Sequence, residues 1–203
     1  MNEMKRIDKQ SGKKSKKFIT AGIFIAIYFV IFVIFGTVCM PIPVLYLLMP
    51  LLIAFFSAPV FMLMVAKTQI TGPIMIAGIL PGAFLLAMGN IWVVIVVAAV
   101  AAVLAEAIAA IGRYKSWSAN TVSFLVFSQN LLGGFLPIWI MREAYFQSNL
   151  ERGMSEEFCD RVRALTPPWV LIAMIAATAV AALLGVLFSK MLFRKHFEKA
   201  NIL

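Results

Sequence analysis

Residues 13–66 read KKSKKFITAGIFIAIYFVIFVIFGTVCMPIPVLYLLMPLLIAFFSAPVFMLMVA, a lysine cluster followed by 49 residues without a charge. The interior of a soluble domain has no use for so long an uncharged run. A hydrocarbon layer about 30 Å thick takes about 20 helical residues to cross, so the run makes two crossings. Pro41 and Pro43 mark the turn between them. The lysines hold the near end on the cytoplasmic side, and everything downstream inherits that orientation. A cleaved signal peptide is not expected, because the segment far exceeds an h-region of about 7 to 15 residues and no Ala-x-Ala site follows it.

Working outward, the 203 residues are 63% hydrophobic and 13% charged, too little polar side chain to coat a globule of that size. The chain therefore reads as a single polytopic all-α membrane protein. Its net charge of +9 lies mostly at expected helix ends, where topology and anionic membrane lipids account for it. No basic face interleaved with aromatics points to nucleic acid. Cys39 and Cys159 are too few and too far apart for a metal-ligand pattern, so no metal is expected. Both fall toward the outside, and a disulfide and two packed free thiols are both open to them.

Charges divide the sequence into four uncharged blocks, 18–66, 68–105, 116–141 and 164–189, holding two, two, one and one crossings. The expected spans are about 18–38, 45–66, 73–88, 91–111, 119–141 and 169–189. Six transmembrane helices place both termini in the cytoplasm. All but four of the 18 basic residues then lie inside, and those four (Arg142, Arg152, Arg161, Arg163) share one loop with five acidic residues. Residues 1–17 form a basic cytoplasmic arm expected to be mostly disordered, 18–190 the six-helix transmembrane domain, and 191–203 a basic cytoplasmic tail. Pro81-Gly82 is expected to kink or break the third span. In the external loop between helices five and six, Ser155-Glu156-Glu157 starts a short amphipathic helix with Phe158, Val162 and Leu165 on one face and Glu157 spaced to pair with Arg161. It serves as a solvated connector or as a lid over a pocket.

No catalytic constellation is present, and the chain is not expected to be an enzyme. The single histidine, His196, lies in the tail, which excludes Ser-His triads and paired-His metal sites. No phosphate-cradling Gly-x-x-x-x-Gly-Lys loop occurs, and no cofactor is implied. Glu106 is the one ionisable side chain inside an expected span. A structural ion pair with Arg113 or with lysines of the first and last spans is the first expectation for it, then a partner-subunit contact, then ion coupling. Gln129 and Asn130 in the fifth span need partners, either another helix or a ligand. On the outer side, Asn90, Trp92, Trp139, Arg142, Tyr145 and Trp169 either converge on an aromatic-lined pocket or belong to the interfacial belt. Gly22 and Ala26 form a small-xxx-small pair at the inner end of the first span.

The runs Phe18-Ile-Thr-Ala-Gly-Ile-Phe-Ile-Ala-Ile-Tyr28, Leu136-Pro-Ile-Trp-Ile-Met-Arg142-Glu-Ala-Tyr-Phe146 and Leu192-Phe-Arg-Lys-His-Phe-Glu-Lys-Ala200 resemble the Trep-Strep family of bacterial integral membrane proteins. That family is grouped with the substrate-binding S components of energy-coupling factor transporters. The resemblance implies a protein of the bacterial cytoplasmic membrane that captures a scarce, vitamin-like small molecule from outside. Its partners would be a transmembrane coupling subunit, met by Gly22 and Ala26, and two ATPase subunits. The pocket would lie between spans three to six and the long loop, and Arg142 would suit a carboxylate. A stand-alone secondary carrier is the alternative, and a membrane-embedded enzyme or accessory protein stands further back. The former would need ion-coupling residues or an inverted repeat, the latter paired carboxylates, His or Cys within the spans.

Overall fold

The computed structural model describes the backbone of residues 2–197 and the side chains of residues 15–194. The last residues of the basic tail and the side chain of His196 lie outside the described residues. All regular structure in this range is helical. Among the described residues, four helical segments are long and apolar enough to cross a membrane: Ser15–Cys39, Pro43–Thr68, Val93–Ile111 and Pro168–Arg194.

Helix α1 (Asn2–Cys39) extends through the basic arm, where disorder was expected. The arm holds six Lys with one each of Arg, Glu and Gln, residues that propagate a helix already nucleated by the apolar run at little cost. Helix α2 (Pro43–Thr68) starts with Pro43 in its first turn, where the missing N–H is no loss, and ends on Gln69 in the left-handed region (φ 48°). Helices α3 (Pro73–Ala87) and α4 (Val93–Ile111) form an antiparallel hairpin closed at Gly89 (φ 84°). Helix α3 continues through Pro81 instead of breaking there. At 15 residues it is about 22 Å long, less than the hydrocarbon thickness.

Small residues set the spacing of this hairpin. A Cβ on Gly78 would stand 2.7 Å from the Ala102 Cβ, and one on Gly82 would stand 2.6 Å from that of Ala98. Ala98, Ala101, Ala102, Ala105 and Ala109 are all buried, so the alanine-rich tail of α4 packs helix against helix.

The fifth expected span is broken. Helix α5 (Trp117–Ser128) is capped by Ser116, whose Oγ accepts from the Ala119 N–H at 3.3 Å, and gives way to a 3-10 segment (Gln129–Gly134) and the short α6 (Pro137–Ile140). The Ser128 hydroxyl and the Gln129 amide both donate to the Leu125 carbonyl (2.9 and 3.4 Å), competing with the backbone ladder, and two glycines and a proline follow.

The loop expected to hold one helix holds two, α7 (Arg142–Glu151) and α8 (Glu156–Leu165). In α8 the Ser155 hydroxyl accepts from the Phe158 N–H (3.2 Å) and Arg161 pairs with Glu157 (2.7 Å) as the spacing implies. Its buried face is centred on Cys159 and Val162, and Leu165 is exposed. Helix α9 (Pro168–Phe197) packs on α2, with Gly185 against the Phe55 carbonyl.

Candidate functional site

At the end of the bundle that carries the α1–α2 link, the Gly89-Asn90 turn and the 142–168 segment lies a cavity of about 850 Å³. Its first wall is the last two turns of α1, where Phe32, Val33, Gly36 and Thr37 follow the helical period, with Met40 just past the helix end. Tyr46 and Met49 of α2 form the second, and Phe84, Leu85, Met88 and Asn90 at the end of α3 the third. The 3-10 segment contributes Leu131 and Gly134, Phe135 follows directly after it, and residues 152–155 with Phe158 close the mouth. A volume of this size with a mostly apolar lining and a few polar groups is that of a small-molecule site.

Aromatic contacts fix these walls. Phe29 and Phe32 of α1 meet the Phe84 ring edge-on (centroids 5.3 and 6.2 Å), and the Tyr46 ring lies between Phe135 (4.9 Å) and Phe158 (5.6 Å). The Tyr46 hydroxyl is 2.6 Å from that of Tyr145, joining α2 to α7. Burial, opposed by that hydrogen bond, pushes the Tyr145 phenol above its ordinary range, so it stays neutral and acts only as a hydrogen-bonding group.

Of the residues expected around a pocket, Asn90 lines the cavity, its amide donating to the Leu85 carbonyl at 3.1 Å. Tyr145 reaches it only through Tyr46. Asn130 is buried and donates to the Gly78 carbonyl (3.1 Å), tying the 3-10 segment to α3. Gln129 donates back to the Leu125 carbonyl of α5. Trp139 donates from its indole N–H to the Pro167 carbonyl (3.2 Å).

Arg142 donates to the carbonyls of Arg163 (2.6 Å) and Thr166 (3.1 Å), with Ile138 at 3.5 Å, and lies over the Phe146 ring. Trp139 and Arg142 together fasten the α6–α7 corner to the α8–α9 link. Trp92 and Trp169 are exposed, 59% and 67%, away from the cavity. The walls supplied by α1 and α2, and Arg152 at the mouth, are absent from the residues expected on sequence. A partial signal existed: Met40, Met49, Met88 and Met154 all lie near the turns of one end, and all line the cavity.

A second polar cluster lies at the opposite end. Glu106 is buried, and its carboxylate accepts from the Tyr114 hydroxyl (2.7 Å) and from the Met75 N–H (3.2 Å). Among the described residues these hydrogen bonds, and not the expected ion pair with Arg113 or a lysine, are the contacts of the carboxylate. Ion pairs among the described residues join Arg161 to Glu157 (2.7 Å) and Arg163 to Glu143 (3.5 Å), both on the 142–168 segment. Met75 is in the first turn of α3, whose own cap residue, Gly72, has no side chain to offer, so Glu106 caps α3 from the neighbouring helix. The Tyr114 hydroxyl also lies 3.0 Å from the Thr71 hydroxyl, and the Asn120 amide donates to the Tyr114 carbonyl (3.2 Å). These contacts hold Arg113 and Tyr114 in the left-handed region (φ 50° and 59°), a turn that side chains normally resist.

Gly22 and Ala26 are exposed on α1, with no atom within 4 Å of a Cβ at Gly22. Cys39 and Cys159 are both buried and free. Compared with known proteins, residues 15–199 match the model of a family described as hypothetical bacterial integral membrane protein (Trep_Strep). No curated protein and no solved structure matches the chain.

Proposed function

The chain belongs to the Trep_Strep family of bacterial integral membrane proteins, and from that premise we propose that it is a substrate-capture subunit of an ATP-driven importer. The observation that carries this reading is the cavity of about 850 Å³, with its apolar, aromatic walls and polar mouth. The chain lacks a nucleotide-binding motif, so energy would come from a pair of ATPase partners through a coupling subunit. In the proposed topology the six crossings are α1, α2, α3, α4, the α5-to-α6 path and α9, with both termini cytoplasmic. Lys67, Arg113, Lys115 and Lys190 then lie inside and the cavity opens outward.

The broken fifth path supports six crossings: 12 α-helical, six 3-10 and four further α-helical residues add up to about 36 Å of helix. The exposed small-residue pair Gly22 and Ala26 supports α1 as the face for the coupling subunit, since another helix can approach closely there. A secondary carrier is disfavoured by the role of Glu106, whose carboxylate is used in capping α3. Capture and handover need no chemistry from this chain. The test is a pull-down of tagged protein from native membranes in mild detergent, with co-purifying proteins identified by mass spectrometry. Recovery of a coupling subunit with two ATPases is expected, and Gly22→Leu should abolish it. A chain that repeatedly comes down alone and folded would overturn the reading.

A further inference from the structure

We propose that the cavity takes an amphipathic anion, with an apolar body seated among the phenylalanines and methionines and a single carboxylate or similar group held by Arg152 at the mouth. This rests on the capture reading and adds the substrate class to it. Arg152 is the one charged residue in the lining, and no acidic residue takes part. The neighbouring acids are engaged or turned elsewhere: Glu151 accepts from Gln147 (3.1 Å), Glu157 pairs with Arg161 (2.7 Å), and Glu156 is exposed outside the lining. Arg142, the guanidinium suggested by sequence, is used up on backbone carbonyls.

The Arg152 guanidinium is positioned but not consumed. Its Nε donates to the Ser148 carbonyl (3.2 Å) and its Nη2 to the Asn149 side-chain oxygen, while Nη1 has no acceptor among the described residues. Its Cδ packs on the backbone of Gly89, where an added Cβ would stand 3.4 Å away, and this puts it beside Asn90. The rest of the mouth is rich in donors. The Ser155 oxygen accepts from the Phe158 N–H, leaving its own hydrogen to give, and the Asn90 amide spends one hydrogen on Leu85. Unspent donors around a cation favour an acceptor-rich group, and a charge-assisted pair with guanidinium is the strongest such contact. The body of the occupant is set by Phe32, Phe84, Phe135 and Phe158, with flexible methionine thioethers filling around it.

The experiment compares the binding of indole-3-butyrate, its amide and the corresponding primary amine to purified protein in lipid nanodiscs by titration calorimetry. It uses the wild type, Arg152→Gln, Arg152→Lys and Gly36→Phe, each checked for folding by size exclusion and thermal melting. Gly36 lines the cavity and a Cβ there meets nothing within 4 Å, so the phenylalanine fills space without straining the helix. The carboxylate should bind the wild type at least about ten-fold tighter than the amide or the amine. Arg152→Gln should erase that preference, Arg152→Lys should keep part of it, and Gly36→Phe should abolish binding. Equal binding of the three probes, or preference for the amine, with all binding lost in Gly36→Phe, would overturn the anionic class and leave capture standing. If none binds, the small molecules released on denaturation of wild-type protein but not of Gly36→Phe decide by their charge. An anion supports the assignment, and a neutral or cationic molecule overturns it. Release of nothing that distinguishes the two proteins overturns both readings.

Discussion

Replacing Glu106 by alanine separates a structural carboxylate from a coupling one. The side chain is 4% exposed and accepts two hydrogen bonds, from the Tyr114 hydroxyl and the Met75 N–H. Hydrogen bonds to a charged group contribute about 1.5 to 3 kcal/mol each, and a buried donor left without a partner adds its own desolvation cost. Tyr114 retains Thr71 as a neighbour, whereas Met75 at the start of α3 retains none of its caps. Glu106→Ala should therefore cost about 3 kcal/mol of stability, and Glu106→Gln, which keeps one acceptor, about 1 kcal/mol. The assay is unfolding of purified protein in mixed micelles with increasing dodecyl sulfate, run as a double-mutant cycle with Tyr114→Phe. A coupling energy of about 1 kcal/mol or more between the two positions is expected, since they share one hydrogen bond. A loss below about 0.5 kcal/mol for Glu106→Ala, with uptake abolished, would refute the capping argument and restore ion coupling.

Arg142→Ala should lower the melting temperature and raise proteolysis within 142–168, since the guanidinium ties α7 to the α8–α9 link; an intact melting curve with weakened binding of a small molecule would contradict this. Gly185→Ala should destabilise by about 1 to 3 kcal/mol because the new Cβ would lie 2.6 Å from the Phe55 carbonyl. In the same unfolding assay Gly22→Ala, into open space, should gain roughly 0.5 kcal/mol. Burial, reinforced by Asp160, pushes the Cys159 thiol above its ordinary range, so its thiolate fraction is depressed at neutral pH and grows as pH rises. In a Cys39→Ser variant, maleimide labelling at pH 7 should be slow in the folded protein and rapid after unfolding; fast labelling of the native state would place Cys159 at the surface.

The helical, membrane-embedded character of the chain was legible because it depends on composition and run length, which the sequence displays directly. The Ser155 cap and the Glu157–Arg161 pair were legible for a similar reason: their partners are a turn away in sequence. Residues whose partners are distant were not. Arg142 looks like an anion site until the Arg163 and Thr166 carbonyls are brought to it by the fold. Glu106 looks like a lone intramembrane charge until the start of α3, 31 residues away, is laid beside it. Tryptophans mark the membrane interface as readily as a pocket, so the sequence left both open for Trp92 and Trp169, which are exposed and outside the cavity lining, while the methionines that line it carry a weaker signature.

Packing density explains why the cavity lies where it does. Helix α4 meets α3 and the 3-10 segment through glycine and alanine, and it contributes no residue to the cavity; Gly133, against the Val94 carbonyl, leaves no room for even a methyl group. Close contacts of this kind cannot open without losing their dispersion energy at once, so α3, α4 and the 3-10 segment form a rigid platform. The other walls are built differently. Helix α1 is largely exposed and meets the platform through the rings of Phe29 and Phe32 on Phe84, and the 152–158 segment meets it through side chains rather than backbone. Rings and thioethers can slide and re-pack at small cost, whereas a glycine–alanine seam cannot. The looser seams of the cavity wall are therefore those of α1 and the 152–158 segment, which supply the apolar wall beside Gly36 and the Arg152 guanidinium.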